Sequence, residues 1–150
     1  LADTCGSACY YIACDLDKLY ARNMVSAMFG SIGTMATIYN YKDYLKELGI
    51  EEHLIFATQS THKNRSFLKA REGDYEDFKK EHLDPLAEDF QTHVKKSRKN
   101  LKTDIDGILN GAMFYTEKAL EYKMIDGVMD FPQAVKQVQS LASARSFMNY

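Results

Sequence analysis

The sequence predicts a one-domain α/β fold, and three observations carry that reading. Short apolar, β-branched and aromatic runs alternate along the chain with segments of helical periodicity. No internal repeat or low-complexity linker interrupts the alternation. At 150 residues and 45% hydrophobic composition, the chain is long enough to bury a core and short enough to form one domain.

The elements follow in order. Leu1–Cys5 reads as a short buried strand and Ser7–Leu16 as a helix, with Ser7 at its N-terminus. Lys18–Arg22 and Thr34–Tyr39 read as strands, because β-branched and aromatic residues recur in them. Tyr41–Leu48 is helical and stops at Gly49, a residue suited to the position after a helix end. His53–Ala57 reads as a strand, and the polar stretch Thr58–Ser66 as a loop. Asp74 opens a long amphipathic helix with Tyr75, Phe78, Leu83, Leu86, Phe90 and Val94 on its apolar face. Pro85 either kinks that helix or restarts it with Asp84 as cap. Thr103 or Asp104 caps a short helix that Gly111 ends, and Tyr115–Tyr122 and Pro132–Ala142 are the last helices.

Charge and composition narrow the function. A net charge of −2 predicts no strong attraction to nucleic acid or anionic lipid. The basic residues Lys95, Lys96, Arg98, Lys99 and Lys102 cluster where a helix ends, and there the helix dipole itself favours cations. No apolar run approaches the roughly 20 residues needed to cross a bilayer, and no signal peptide is visible, although the chain starts at Leu1 rather than Met. Cys5, Cys9 and Cys14 fit no common zinc spacing, so no metal or other cofactor is expected. Closely spaced thiols of odd number point to a reducing compartment, hence a cytoplasmic location, with the thiols acting as small apolar residues.

The segment Gly6-Ser7-Ala8-Cys9-Tyr10-Tyr11 carries the most chemistry. It places the Ser7 hydroxyl at a helix N-terminus, where unpaired N–H groups favour developing negative charge. Ser7 is either an ordinary helix cap or a nucleophile whose oxyanion intermediate needs that setting. No Gly-x-Ser-x-Gly elbow is present. Of the four histidines, His82 and His93 sit among charged residues of the long helix and read as solvent-facing. His53 reads as structural, and His62 adjoins Lys63 in the polar loop.

Ser7-Ala8-Cys9-Tyr10-Tyr11 followed by Lys18-Leu19-Tyr20-Ala21, Gly30-Ser31-Ile32-Gly33, Lys63 in its loop, Gly111 to Tyr115 and Ile125-Asp126-Gly127 resembles the signal peptide peptidase (SppA-type) family of serine peptidases, which includes phage head-maturation proteases. The resemblance runs from about Asp3 to Ala134 and lies in the order and spacing of these motifs. It implies a ClpP/crotonase-like spiral of βαβ units, a peptide or protein substrate, and a homo-oligomer. It also implies a Ser-Lys dyad, with Ser7 as nucleophile, Lys63 as base, the Ala8 N–H at the oxyanion and Ser31 positioning the lysine. Read without the resemblance, Lys63 is a surface lysine and Ser31 a turn residue between two glycines.

A lysine has a reference pKa of about 10.4 and takes a serine proton at neutral pH only when burial lowers that value by roughly 3 units. Arg65 and Lys69 are competing cations nearby. Ala8-Cys9 stands where the family has Gly-Gly, and two residues are inserted before Gly30. Ala8 can still offer its N–H if its φ is negative. The family's strands before the nucleophile are missing, so residues 1–150 are expected to be the C-terminal part of a single peptidase domain. The other half would be absent, proteolysed or supplied by another chain. A non-catalytic scaffold or assembly protein of the same fold is the alternative.

Overall fold

A computed structural model describes residues 1–148, with side chains as far as Ala144. Its chain divides into two units, residues 1–33 with 89 onward, and residues 34–88. Both helices and strands are present, so the α/β class holds.

The first unit is built on two small sheets. Strands β1 (Thr4–Gly6), β3 (Met28–Gly30) and β4 (Met113–Tyr115) form one, with β3 in the centre. β1 runs parallel to β3 in the register Cys5↔Phe29 and Gly6↔Gly30, and β4 runs antiparallel to β3 with Gly30 opposite Met113. Strands β2 (Tyr20–Ala21) and β5 (Gly127–Val128) form the second, parallel pair.

Helix α1 (Ala8–Ala13) follows β1 directly and buries Tyr10 and Ala13, one turn apart on the same face. Tyr10 is fully buried, so its hydroxyl needs a partner; it donates to Met124 O at 2.8 Å. Phe29, Leu19, Ile32, Ile108, Met124 and Val94 complete the dry centre around it. Helix α6 (Thr116–Glu121) brings the buried Thr116 hydroxyl onto Asn23 O at 2.7 Å, tying down the loop that leads into β3.

Asp126 pins the turn before β5 to the start of β2. Its carboxylate accepts the Leu19 N–H at 2.7 Å and Arg98 Nη1 at 2.8 Å. Partial burial alone would raise its pKa, but the Arg98 hydrogen bond and the Leu19 N–H outweigh that and hold it below the usual aspartate value. The Ile125-Asp126-Gly127 motif is thus a structural clamp in this chain.

The second unit contains α2 (Lys42–Glu47), α3 (Arg65–Arg71) and α4 (Glu76–Phe78), then a π-helical segment over Lys79–Leu83 and the start of α5 (Asp84–Ser97), whose residues from 89 on belong to the first unit. The π-turn explains Pro85: proline has no N–H to return to the carbonyl four residues back, and the ladder widens just ahead of it. Asp84 is itself helical, so it does not restart the helix as a cap. Gly49 has φ 71°, as its place after α2 requires.

Three expected elements are corrected. Thr34–Tyr39 and His53–Ala57 form no strand. Their β-prone side chains have no neighbouring strand to pair with among the described residues, and propensity alone does not hold a strand. The helix expected from Thr103 or Asp104 is a chain of turns instead, broken by Gly107 at φ 93°. Strand β3 went unread because only Met28 and Phe29 precede its glycine, and helix α3 occupies the end of the expected loop. The last helix, α7, covers Phe131–Met148.

Candidate active site

Ser7 occupies the single residue between β1 and α1. The chain turns from strand to helix there at φ 53° and ψ −131°, a conformation that L residues with a side chain rarely adopt. Three contacts enforce it. The Ser7 N–H donates to Gly30 O at 2.9 Å and so continues the β1–β3 ladder. The Ser7 carbonyl accepts the Tyr11 N–H at 3.0 Å and so begins the helix. Gly6 packs so tightly that a Cβ there would sit 2.7 Å from Met113 Sδ.

A serine at a helix start normally caps it by accepting a backbone N–H. Ser7 makes no such bond, and its hydroxyl has no hydrogen-bond partner among the described residues. The residue is exposed. The strain therefore presents a free hydroxyl at the tip of a strand-to-helix turn, the device by which nucleophile elbows expose a serine. No Gly-x-Ser-x-Gly pattern marks this turn, because Cys5 and Cys9 stand where its glycines would be. Ala8 is the first residue of α1 and has helical φ, which meets the condition for its N–H. The first N–H groups of a helix have no acceptor within it, so Ala8 can donate beside Ser7.

Ser31 lies in the same unit. It has φ 55°, its N–H donates to Ala112 O at 2.8 Å, and its Cβ is 3.4 Å from where a Cβ on Gly6 would lie. The structure thus gathers Ser7, Ala8 and Ser31 around the ends of β1 and β3. The geometry fits an attacking hydroxyl next to a backbone donor for the charge it creates.

The family model for Peptidase family S49 matches residues 1–145, a range that takes in both units. The chain belongs to peptidase family S49. Membership in S49 carries peptidase chemistry with it, so the strained serine stands in a family of hydrolases.

Lys63 belongs to the second unit. It sits in the turn before α3, where its N–H donates to Ser60 O at 3.2 Å, and its side chain is exposed with no ion-pair partner among the described residues. The nearby Lys69 is engaged by Asp77 at 2.5 Å and Asp74 at 3.8 Å. The buried Ser66 shares a hydrogen bond of 3.1 Å with His82 Nε2. His62 and His53 are exposed.

His93 is not simply solvent-facing. It is half-buried, stacks on Tyr11 at 4.2 Å and lies 3.0 Å from Asp15. The ligand atoms of Cys14, Asp15 and His93 lie within 4.8 Å of one another, close enough to hold a metal ion. Each already has protein contacts: Asp15 with Ser97 and His93, and the Cys14 thiol with Tyr11 O at 3.1 Å. No helix among the described residues is long and apolar enough to cross a membrane.

Proposed function

We propose that this S49 chain is a serine endopeptidase in which Ser7 attacks the peptide carbonyl and Lys63 accepts its proton. The Ala8 N–H then stabilises the oxyanion, and Ser31 orients the lysine amine. Collapse of the tetrahedral intermediate expels the amine, which takes the proton back from Lys63, and water hydrolyses the Ser7 acyl-enzyme by the reverse path. The observation that carries the reading is the strained, exposed and uncapped Ser7. Fluorophosphonate, which phosphonylates activated serines, should modify Ser7 and leave Ser7→Ala unmodified, as read by peptide mass mapping. Equal modification of the two proteins would end the proposal.

The fold is read as a ClpP/crotonase-like spiral of βαβ units. A homo-oligomer goes with it. Met35, Tyr39 and Ile55 are 82%, 67% and 90% exposed in segments that expected strand partners and have none. A second copy that supplied a strand edge would cover these apolar side chains. Sedimentation equilibrium should show a species larger than the monomer, and Ile55→Lys should shift it toward monomer. A strictly monomeric parent protein would remove this part.

Signal-peptide remnants and phage capsid or scaffold proteins are the two substrate classes. Cleavage of a co-expressed scaffold protein would select the second and cleavage of released signal peptides the first. The free thiols favour a cytoplasmic reaction. One observation favours a non-catalytic scaffold instead: Lys63 is exposed, whereas a lysine base needs desolvation. In the peptidase reading, that desolvation comes from an adjoining subunit or the bound substrate.

A further inference from the structure

We propose that Cys5 and Cys9 form a reversible disulfide across Ser7, making the nucleophile elbow a redox-controlled site. Its effect on catalysis rests on Ser7 being the nucleophile; formation of the bond does not.

The elbow itself creates the pair. A tight strand-to-helix turn folds the residue two before its apex against the residue two after, and glycines usually relieve that crowding. Here both positions are cysteine. Cys5 ends its side chain in the core at 1% exposure, Cys9 is exposed on the first turn of α1, and their sulfurs lie 3.5 Å apart. Both thiols are free. The third cysteine, Cys14, is turned to Tyr11 O.

The oxidant class is a hydroperoxide, which can reach only the exposed thiol. The Cys9 thiolate attacks the terminal peroxide oxygen, the O–O bond breaks, and Cys9 becomes a sulfenic acid. Hydroxide (from hydrogen peroxide) or an alkoxide leaves and takes up the proton the thiol had released, giving water or an alcohol. The Cys5 sulfur then attacks the Cys9 sulfur, the S–O bond breaks, and the expelled hydroxide takes the Cys5 proton to leave as water. Two thiols have been oxidised by two electrons and one peroxide reduced. Burial, together with the neighbouring Cys9, pushes the Cys5 thiol up to about 12, so Cys5 is not the first attacker.

A disulfide has an S–S length of about 2.05 Å, so the sulfurs must close from 3.5 Å. The closure draws the end of β1 toward the first turn of α1, with Ser7 and the Ala8 N–H inside the ring. Misplacement of a reacting group by about 1 Å costs on the order of 100-fold in rate. Reduction by a dithiol reopens the ring.

The test treats the full chain with hydrogen peroxide and then maps its peptides without reduction. A Cys5–Cys9 linked peptide should appear, fluorophosphonate modification of Ser7 should slow by about 100-fold, and dithiothreitol should reverse both. Cys9→Ser should form no bond and keep its rate of Ser7 modification after mild peroxide. Conversion of Cys9 to sulfinic acid with Cys5 still free would overturn the proposal, as would a bond that leaves Ser7 modification unchanged. A reduced protein that forms the bond yet never reacts with fluorophosphonate would refute the serine reading and the switch, and would leave the disulfide standing.

Discussion

Ser7→Ala is expected to lower peptide hydrolysis by at least about a thousandfold, and Lys63→Ala by a comparable factor, because members of a catalytic unit fail together. The double variant should be scarcely worse than either single one. Once the nucleophile is gone, the base has nothing left to activate. This non-additivity separates the dyad from two independent contributions, which would multiply. Lys63→Arg should not rescue activity, since a guanidinium keeps its proton and cannot serve as base. The measurement is kcat/KM on a peptide substrate with the assembled protein, because Lys63 is exposed and its desolvation must come from a neighbour or the substrate. Full activity in Lys63→Ala would sink the dyad and make His62, its exposed neighbour, the next base to test. Loss in Ser7→Ala alone would leave the serine in place with another base.

The legible part of this chain was local. The strand, serine and helix around Ser7 could be read because a single turn decides them, and Gly49 could be placed because a helix end has a residue preference. Strands at Thr34–Tyr39 and His53–Ala57 could not be settled in the same way. Their β-branched and aromatic residues express a preference that only a neighbouring strand realises, and such a neighbour is a long-range fact. The same holds at Lys63. Its residue type and place in a loop are visible in sequence, while the burial that would make it a base depends on what packs over it. The strain at Ser7 was hidden for a different reason: Cys5 and Cys9 obscure the small-residue signature of an elbow, yet the ladder bond to Gly30 and the tight fit of Gly6 on Met113 impose it.

Gly30→Ala should be the most damaging single methyl group in the first unit. Gly30 has φ +134°, a conformation that side chains rarely adopt, and a Cβ would lie 2.3 Å from Ala112 O. That oxygen belongs to backbone, so no side-chain rotation can relieve the clash. It is also the acceptor of the Ser31 N–H at 2.8 Å, while Gly30's own carbonyl holds the Ser7 N–H at 2.9 Å. To admit the methyl group, β3 and β4 must separate where both serines are anchored. Overpacking of this kind costs about 1–3 kcal/mol, and backbone strain adds about 1–3 kcal/mol more. At about 2–4 °C per kcal/mol for a chain of this size, the melting temperature should fall by roughly 10 °C. Gly49→Ala is the matched control: its φ is +71°, but nothing lies within 4 Å of the added carbon, so only the backbone term applies. Equal melting temperatures for the two variants would show that the contact with Ala112 O does not hold the site together. A larger fall for Gly30→Ala, with loss of Ser7 modification in the protein that remains folded, would tie the β3–β4 junction to the strained serine it supports.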